Sequence, residues 1–287
     1  MKPIYKTRSA KNKIMELYDQ KLQSLQIDYQ EIDIKTSFGR TRVIKTGNTS
    51  GKKVVLFHGI NAGAPTTLEV VKPLLDTFQF YAIDTIGQTT KSAPNRLNSK
   101  NQDYAIWASE VLEGLNIENA HCIGISYGAY ILQKLIQLDQ SKINSCVFVV
   151  PSGIVSGDPW ISTKKLTLPL IKWKLTKKED DLKQFLSGFA PIEDAFTYEL
   201  LHQIMVGTHL DISIPKLLKA KNVKDFKKPV FVIAASDDVY FPGEKVIQRS
   251  KVLFPNFQDA LLLKNSKHMP SKEFHSTIQN KIEEWLG

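Results

Sequence analysis

Cysteine and arginine are scarce in this 287-residue sequence, and no apolar run approaches the length of a bilayer crossing. Each scarcity excludes something. The two cysteines, Cys122 and Cys146, fall inside expected buried strands and lack the spacing of a zinc site or a disulfide framework, so both are read as reduced core residues. A membrane-spanning helix needs roughly 20 consecutive apolar residues, and none is present to supply one. The start, MKPIYKTRSAKNK, is basic, but no apolar h-region follows it. A secretory signal is therefore not expected, and a cytoplasmic protein is. The net charge of +9 comes mostly from scattered lysines. No finger, RNP-type or basic-helix motif gathers them for a groove, so nucleic acid is not the expected partner. Internal repeats and low-complexity tracts are absent as well.

Apolar residues make up 42% of the chain, enough for a sizeable core. Ile14, Leu17, Tyr18, Leu22 and Leu25 recur at helical spacing and predict a peripheral helix over 10–26. Residues 29–47 alternate about Ser37–Phe38–Gly39 as a hairpin. From KKVVLFHG onward, short continuous apolar runs alternate with helical patterns near 66–77, 102–115 and 127–139. That rhythm is the mark of a parallel sheet buried on both faces. It breaks after Pro151, where residues 152–227 offer helical patterns and no convincing strand. It resumes at KPVFVIAAS, with further helices near 243–253 and 271–286. The expected division is an N-terminal peripheral helix over 1–27, a core over 28–151 and 228–287, and a helical insert over 152–227.

The chemistry-bearing stretch is HCIGISYGAY, residues 121–130, in which Ser126 lies between Gly124 and Gly128 where a buried strand meets a helix. Such a strand–turn–helix setting lets a serine hydroxyl stand exposed above the sheet, with glycines where strand and helix approach. A serine needs a base. His268, after the last strand in KNSKHMP, lies at the same sheet edge. His121 and His275 fit worse, His202 and His209 belong to the insert and could line a pocket, and His58 with Gly59 is assigned to turn geometry. A carboxylate must orient the imidazole, and Asp237 and Asp238 both follow the strand PVFVI. The oxyanion donors expected are the backbone N–H groups of Tyr127 and of Ile60 in HGIN. One such donor contributes about 3–4 kcal/mol.

Taken in order, HGIN, DTIGQTTKS, GISYGAY, SDDVYFP and SKHMP resemble the α/β-hydrolase superfamily over about residues 28–287. The resemblance implies an α/β fold with an eight-stranded, mostly parallel sheet, helices on both faces, and a helical cap inserted after strand six. It also selects Asp238, four residues before Pro242, as the acid. Three positions depart from the usual pattern: Thr89 stands for a glycine after strand four, Ala129 for a second elbow glycine, and Lys267 for a glycine before the histidine.

These residues predict a serine hydrolase acting on a small or medium carboxylic ester through an acyl-enzyme, with Ser126, Asp238 and His268 catalytic and neither metal nor organic cofactor required. A ligand-binding sensor with slow turnover is the alternative on the same fold, since some plant hormone receptors of the superfamily keep the triad. Lipid, thioester, amide or carbon–carbon bond substrates are further alternatives, because the fold does not fix the reaction. The basic, apolar cap segment ISTKKLTLPLIKWKLTKKEDD is compatible with weak contact to an anionic surface, without stable insertion. Oligomeric state is not encoded legibly.

Overall fold

A computed structural model describes residues 3–210 and 215–287. Residues 1–2 of the expected N-terminal segment and 211–214 of the expected cap lie outside the described residues. In chain order the strands are β1 (Tyr29–Thr36), β2 (Gly39–Gly47), β3 (Lys53–Phe57), β4 (Gln79–Ile83), β5 (Ala120–Ile125), β6 (Ile143–Val149), β7 (Val230–Ala235) and β8 (Phe257–Leu263). The helices are α1 (Arg8–Ser24), α2 (Gly63–Val71), α3 (Asp103–Gly114), α4 (Tyr127–Leu138), α5 (Pro159–Ser162), α6 (Leu168–Thr176), α7 (Glu179–Ser187), α8 (Ala195–Gly207), α9 (Gly243–Leu253) and α10 (His275–Leu286).

One sheet runs β1-β2-β4-β3-β5-β6-β7-β8. The hairpin β1–β2 and its junction with β4 are antiparallel, and every other pairing is parallel. The continuous apolar runs arise because each inner strand serves two cores. On β3, Val55 and Phe57 enter one cluster while Val54 and Leu56 enter the other. β6 divides in the same way, with Cys146 and Phe148 against Val147 and Val149. Helices α3, α4 and α9 cover the first face, and α1, α2 and α10 cover the second. Burying one such aliphatic or aromatic side chain is worth about 1.5–3 kcal/mol. The largest among them, Trp107, also pairs its indole N–H with Thr41 Oγ1 at 2.8 Å.

Several helix boundaries differ from the periodicity, and α1 runs two residues ahead of the expected span at both ends. α2 starts three residues earlier than expected and gives way at Lys72 to a 3₁₀ turn. Pro73 has no N–H to continue the ladder there. The last helix likewise begins with a 3₁₀ turn, Lys272–Phe274. Between β6 and β7 the described chain forms α5–α8 and no strand, apart from a single bridge between Thr208 and Tyr5. Leu166, Trp173, Leu182, Phe185 and Leu186 make a separate small core there. α1 is capped by Thr7, whose hydroxyl accepts the Ala10 N–H at 3.0 Å. It buries Ile14, Leu17, Tyr18 and Leu22.

Order reverses between β3 and β5: from β3 the chain passes to β4 on one side, then to β5 on the other. Loops leaving the carboxyl ends of β3 and β5 therefore border one crevice, the usual place for a site in such sheets.

Candidate active site

The register of β3 on β5 sets the first geometry. Phe57 pairs with Gly124, so two residues later Gly59 lies beside Ser126. A Cβ built on Gly59 would stand 3.5 Å from that of Ser126. Ser126 itself takes φ +51° and ψ −111°, a conformation costing on the order of 1–3 kcal/mol for a residue with a side chain. Hydrogen bonds hold it there. Its N–H donates to Val149 O at 2.9 Å, and its carbonyl accepts from Ser152 N and Oγ at 3.2 and 3.0 Å. The flanking glycines are required by close approach. An added Cβ on Gly128 would lie 2.1 Å from Phe57 O, and one on Gly124 would lie 2.6 Å from Ala129 Cα. α4 can begin directly over the sheet only because both are absent.

Ser126 Oγ stands 2.8 Å from His268 Nε2, and His268 Nδ1 stands 2.7 Å from Asp238 Oδ2. A carboxylate only accepts, so Nδ1 carries the proton and Nε2 is left to accept from the hydroxyl. The other Asp238 oxygen accepts N–H donors from Tyr240 and Phe241 at 2.8 and 3.0 Å. Asp238 is buried, whereas Asp237 is exposed and accepts from Ser236 Oγ. The rings of Tyr240 and Phe241 flank the imidazole edge-on, with centroids at 5.2 and 5.4 Å. The structure thus brings Ser126, His268 and Asp238 into one relay.

Of the two expected oxyanion residues, Tyr127 opens helix α4 after β5 and Ile60 follows the adjacent strand β3. The Ile60 N–H makes no backbone hydrogen bond among the described residues. His58 is a turn residue. Its Nε2 accepts the Thr85 N–H at 2.9 Å, so Nδ1 is protonated and donates to Gly59 O at 2.6 Å. Complete burial pushes its pKa down to about 4, which keeps the ring neutral. The His202 ring lies beside that of Tyr198 on α8, tilted by 33° with centroids 5.9 Å apart, and the His209 N–H donates to Ile4 O.

Sequence reasoning missed the clasp on this loop. Gln88 Oε1 accepts the Asn61 N–H at 2.7 Å, and Thr89 Oγ1 donates to Asn61 O at 3.0 Å. Both sides of the peptide framework around Asn61, at φ +57°, are therefore held by the turn after β4. Asp84 extends the clasp, accepting from Ala64 N and Lys91 N at 3.0 and 3.1 Å. Burial raises the Asp84 pKa to about 6 against the opposing pull of those donors. The departing residue Lys267 also has a use: its ammonium donates to Ser187 O, at the end of α7, at 2.7 Å. Met269 N donates to Phe189 O at 2.9 Å, so the His268 loop is stitched on both sides to the helical segment.

Among the described residues no three metal-ligand side chains gather into a cluster, and no helix is long and apolar enough to cross a membrane.

Comparison with known proteins fits this geometry. The family profile of the α/β hydrolase fold matches residues 52–182. The carboxylesterase YbfK of Bacillus subtilis (strain 168) is 23% identical, covering 94% of this chain and 92% of that protein. A second protein of the same strain, named uncharacterized carboxylesterase nap, is 27% identical over 93% of this chain and 90% of its own. Among solved structures, the naproxen esterase (carboxylesterase NP) of Bacillus subtilis superposes with a TM-score of 0.84 at 18% identity, covering 98% of this chain and all of that one. The carboxylesterase CesB (YbfK) from Bacillus subtilis gives 0.80 at 19% identity, over 97% and 98% of the two chains.

Proposed function

We infer that this chain, an α/β-hydrolase, is a serine carboxylesterase that cleaves small or medium esters through an acyl-enzyme, and the reaction follows from the relay. Ser126 Oγ attacks the ester carbonyl carbon as its proton passes to His268 Nε2. Asp238 keeps the imidazolium oriented and offsets its charge. The oxyanion of the tetrahedral intermediate lies against the N–H groups of Ile60 and Tyr127. Collapse breaks the bond to the alcohol, which leaves with the proton from His268. A water molecule then gives its proton to the same nitrogen and attacks the acyl carbon, and collapse breaks the bond to Ser126 Oγ, which takes the proton back from His268 as the acid leaves. All proton transfers use one histidine, and the chain's own residues supply every step.

One observation carries this reading: the hydroxyl–imidazole–carboxylate relay, at 2.8 and 2.7 Å, with the buried carboxylate pinned by two N–H donors. Its ligand partner is a small ester. A cytoplasmic setting suits the two unpaired, buried thiols of Cys122 and Cys146, register partners on β5 and β6. The test is labelling by a serine-directed fluorophosphonate, followed by rates over a panel of esters, thioesters and amides. Labelling at Ser126 and fastest turnover of esters support the reading. Labelling that persists in Ser126→Ala, or turnover confined to amides, would refute it.

A further inference from the structure

The outer face of α6, with the short helix α5 ahead of it, carries apolar side chains that nothing in the described chain covers. Trp160 is 82% exposed and Leu175 80%, with Leu168 at 55% and Ile171 at 48%. Leu168, Ile171 and Leu175 recur at intervals of three and four and so share one face of α6. The opposite face is already satisfied: Pro169 and Trp173 are buried, and Trp173 joins the small core with Phe185 and Val239. The helix is therefore apolar on two sides, only one of which the fold uses. A surface helix needs one apolar stripe.

Charge indicates what the other side meets. Residues 159–178 contain six lysines and no acidic residue. Lys172 is committed to Asp181 at 2.7 Å, and Lys177 lies over the Trp173 ring. Lys164, Lys165 and Lys174 are exposed around the apolar face. A second copy of the chain docking about a two-fold axis would set like charges against each other. Nucleic acid would use the lysines but leave Leu168 and Leu175 in water. An anionic lipid interface takes both, with apolar side chains at the acyl boundary and ammonium groups among the phosphates. We propose that α6 and the short helix α5 ahead of it form a docking surface for an anionic bilayer, with Trp160, Leu168 and Leu175 as the inserted side chains. The surface uses no residue of the Ser126 relay, so it stands apart from the esterase reading.

The test is co-sedimentation of the full chain with phosphatidylcholine vesicles, with and without an equal part of phosphatidylglycerol, alongside tryptophan emission. The chain should bind the anionic vesicles at least about tenfold more tightly than the neutral ones, less so as salt is raised. Emission should shift to the blue on binding, and Trp160→Phe should remove that shift. The double variant Trp160→Ser with Leu175→Ser should lose at least about tenfold in partition. Its thermal midpoint and its rate on a water-soluble ester should stay as in the wild type. Ser126→Ala should bind as well as the wild type. No binding to anionic vesicles at low salt would overturn the proposal, as would binding that the double variant leaves unchanged. So would a concentration-dependent dimer that the double variant dissolves, which would mark the face as an interface between copies.

Discussion

An imidazole with Nδ1–H committed to a buried carboxylate has one nitrogen left for a proton, and that nitrogen faces Ser126. Replacing Asp238 by Asn tests this single commitment. The amide oxygen can still accept from Tyr240 and Phe241, so the turn survives. Its NH₂ group, however, now points at Nδ1 and forces the proton onto Nε2, where it can no longer take the serine's. Asp238→Asn should lower kcat on an activated ester by about 10⁴ with little change in KM, by analogy with the same substitution in a serine protease. The exposed neighbour variant Asp237→Asn should stay within about twofold, as surface changes commonly do. Ser126→Ala should lower kcat by several powers of ten, up to about 10⁶. The serine and the histidine were legible in the sequence because both stand in motifs fixed by strand ends. The two aspartates were not separable from the residues alone, since both follow the same strand. What separates them is burial, which depends on how the turn folds beneath Tyr240.

Two loops with few side chains of obvious chemistry hold the chain beside Ile60, one of the two proposed oxyanion donors. HGIN and DTIGQTT are each visible as motifs, but the bonds between them span 27 or 28 residues, and no spacing rule announces them. Thr89 takes the place of a glycine in the related pattern, and backbone room alone does not explain it. Its hydroxyl ties down Asn61 O, next to the Ile60 peptide. Thr89→Val keeps the shape and removes the donor. It should lower kcat roughly tenfold with KM little changed, and Thr89→Ser should restore the rate. Equal losses in both variants would sever the clasp from catalysis. The same loops hold two buried titratable groups with opposite effects. His58, at about 4, contributes stability above the ordinary histidine pKa of about 6.5, and this is lost as pH falls toward 4. Asp84, at about 6, contributes stability below the ordinary aspartate range, and this is lost as pH rises through 6. Between pH 4 and 6 the two slopes oppose each other. Asp84→Asn leaves the histidine slope uncompensated, so from pH 7 to pH 5 it should lose about 1 kcal/mol more stability than the wild type. Urea midpoints at the two pH values measure this, whatever the variant's absolute stability.

At the scale of the molecule, the sheet was the legible part. Continuous apolar runs at β3 to β7 announce strands buried on two faces, and the interruption after Pro151 announces the helical segment. Periodicity names the face of a helix but not what that face meets, and α1 is the instance. Its apolar stripe reads as a peripheral helix, while its contacts reach both α2 and α8. Lys21 pairs with Glu69 on α2 at 3.0 Å and lies over the ring of Phe196 on α8. Ahead of α1, Lys6 N donates to Gly207 O and His209 N to Ile4 O, both at 2.8 Å, closing a short strap across the end of α8. The fit there is tight: a Cβ on Gly207 would meet Ala10 Cβ at 2.9 Å and Ile14 Cδ1 at 3.7 Å. Ile14 is 1% exposed, so Ile14→Ala opens a cavity where core, strap and α8 meet. The loss should be about 2–5 kcal/mol, a range typical of such truncations. If α1 joins α8 to the sheet, the loss will not be uniform: amide exchange should quicken in α8 while the β3 and β5 amides keep their protection relative to the global opening. Leu175→Ala, in the same helical segment but exposed, should change stability by no more than about 0.5 kcal/mol and leave α8 exchange as it was. Equal quickening of the sheet and α8 in Ile14→Ala would instead make α1 one more layer of a single cooperative unit, with no special hold on α8.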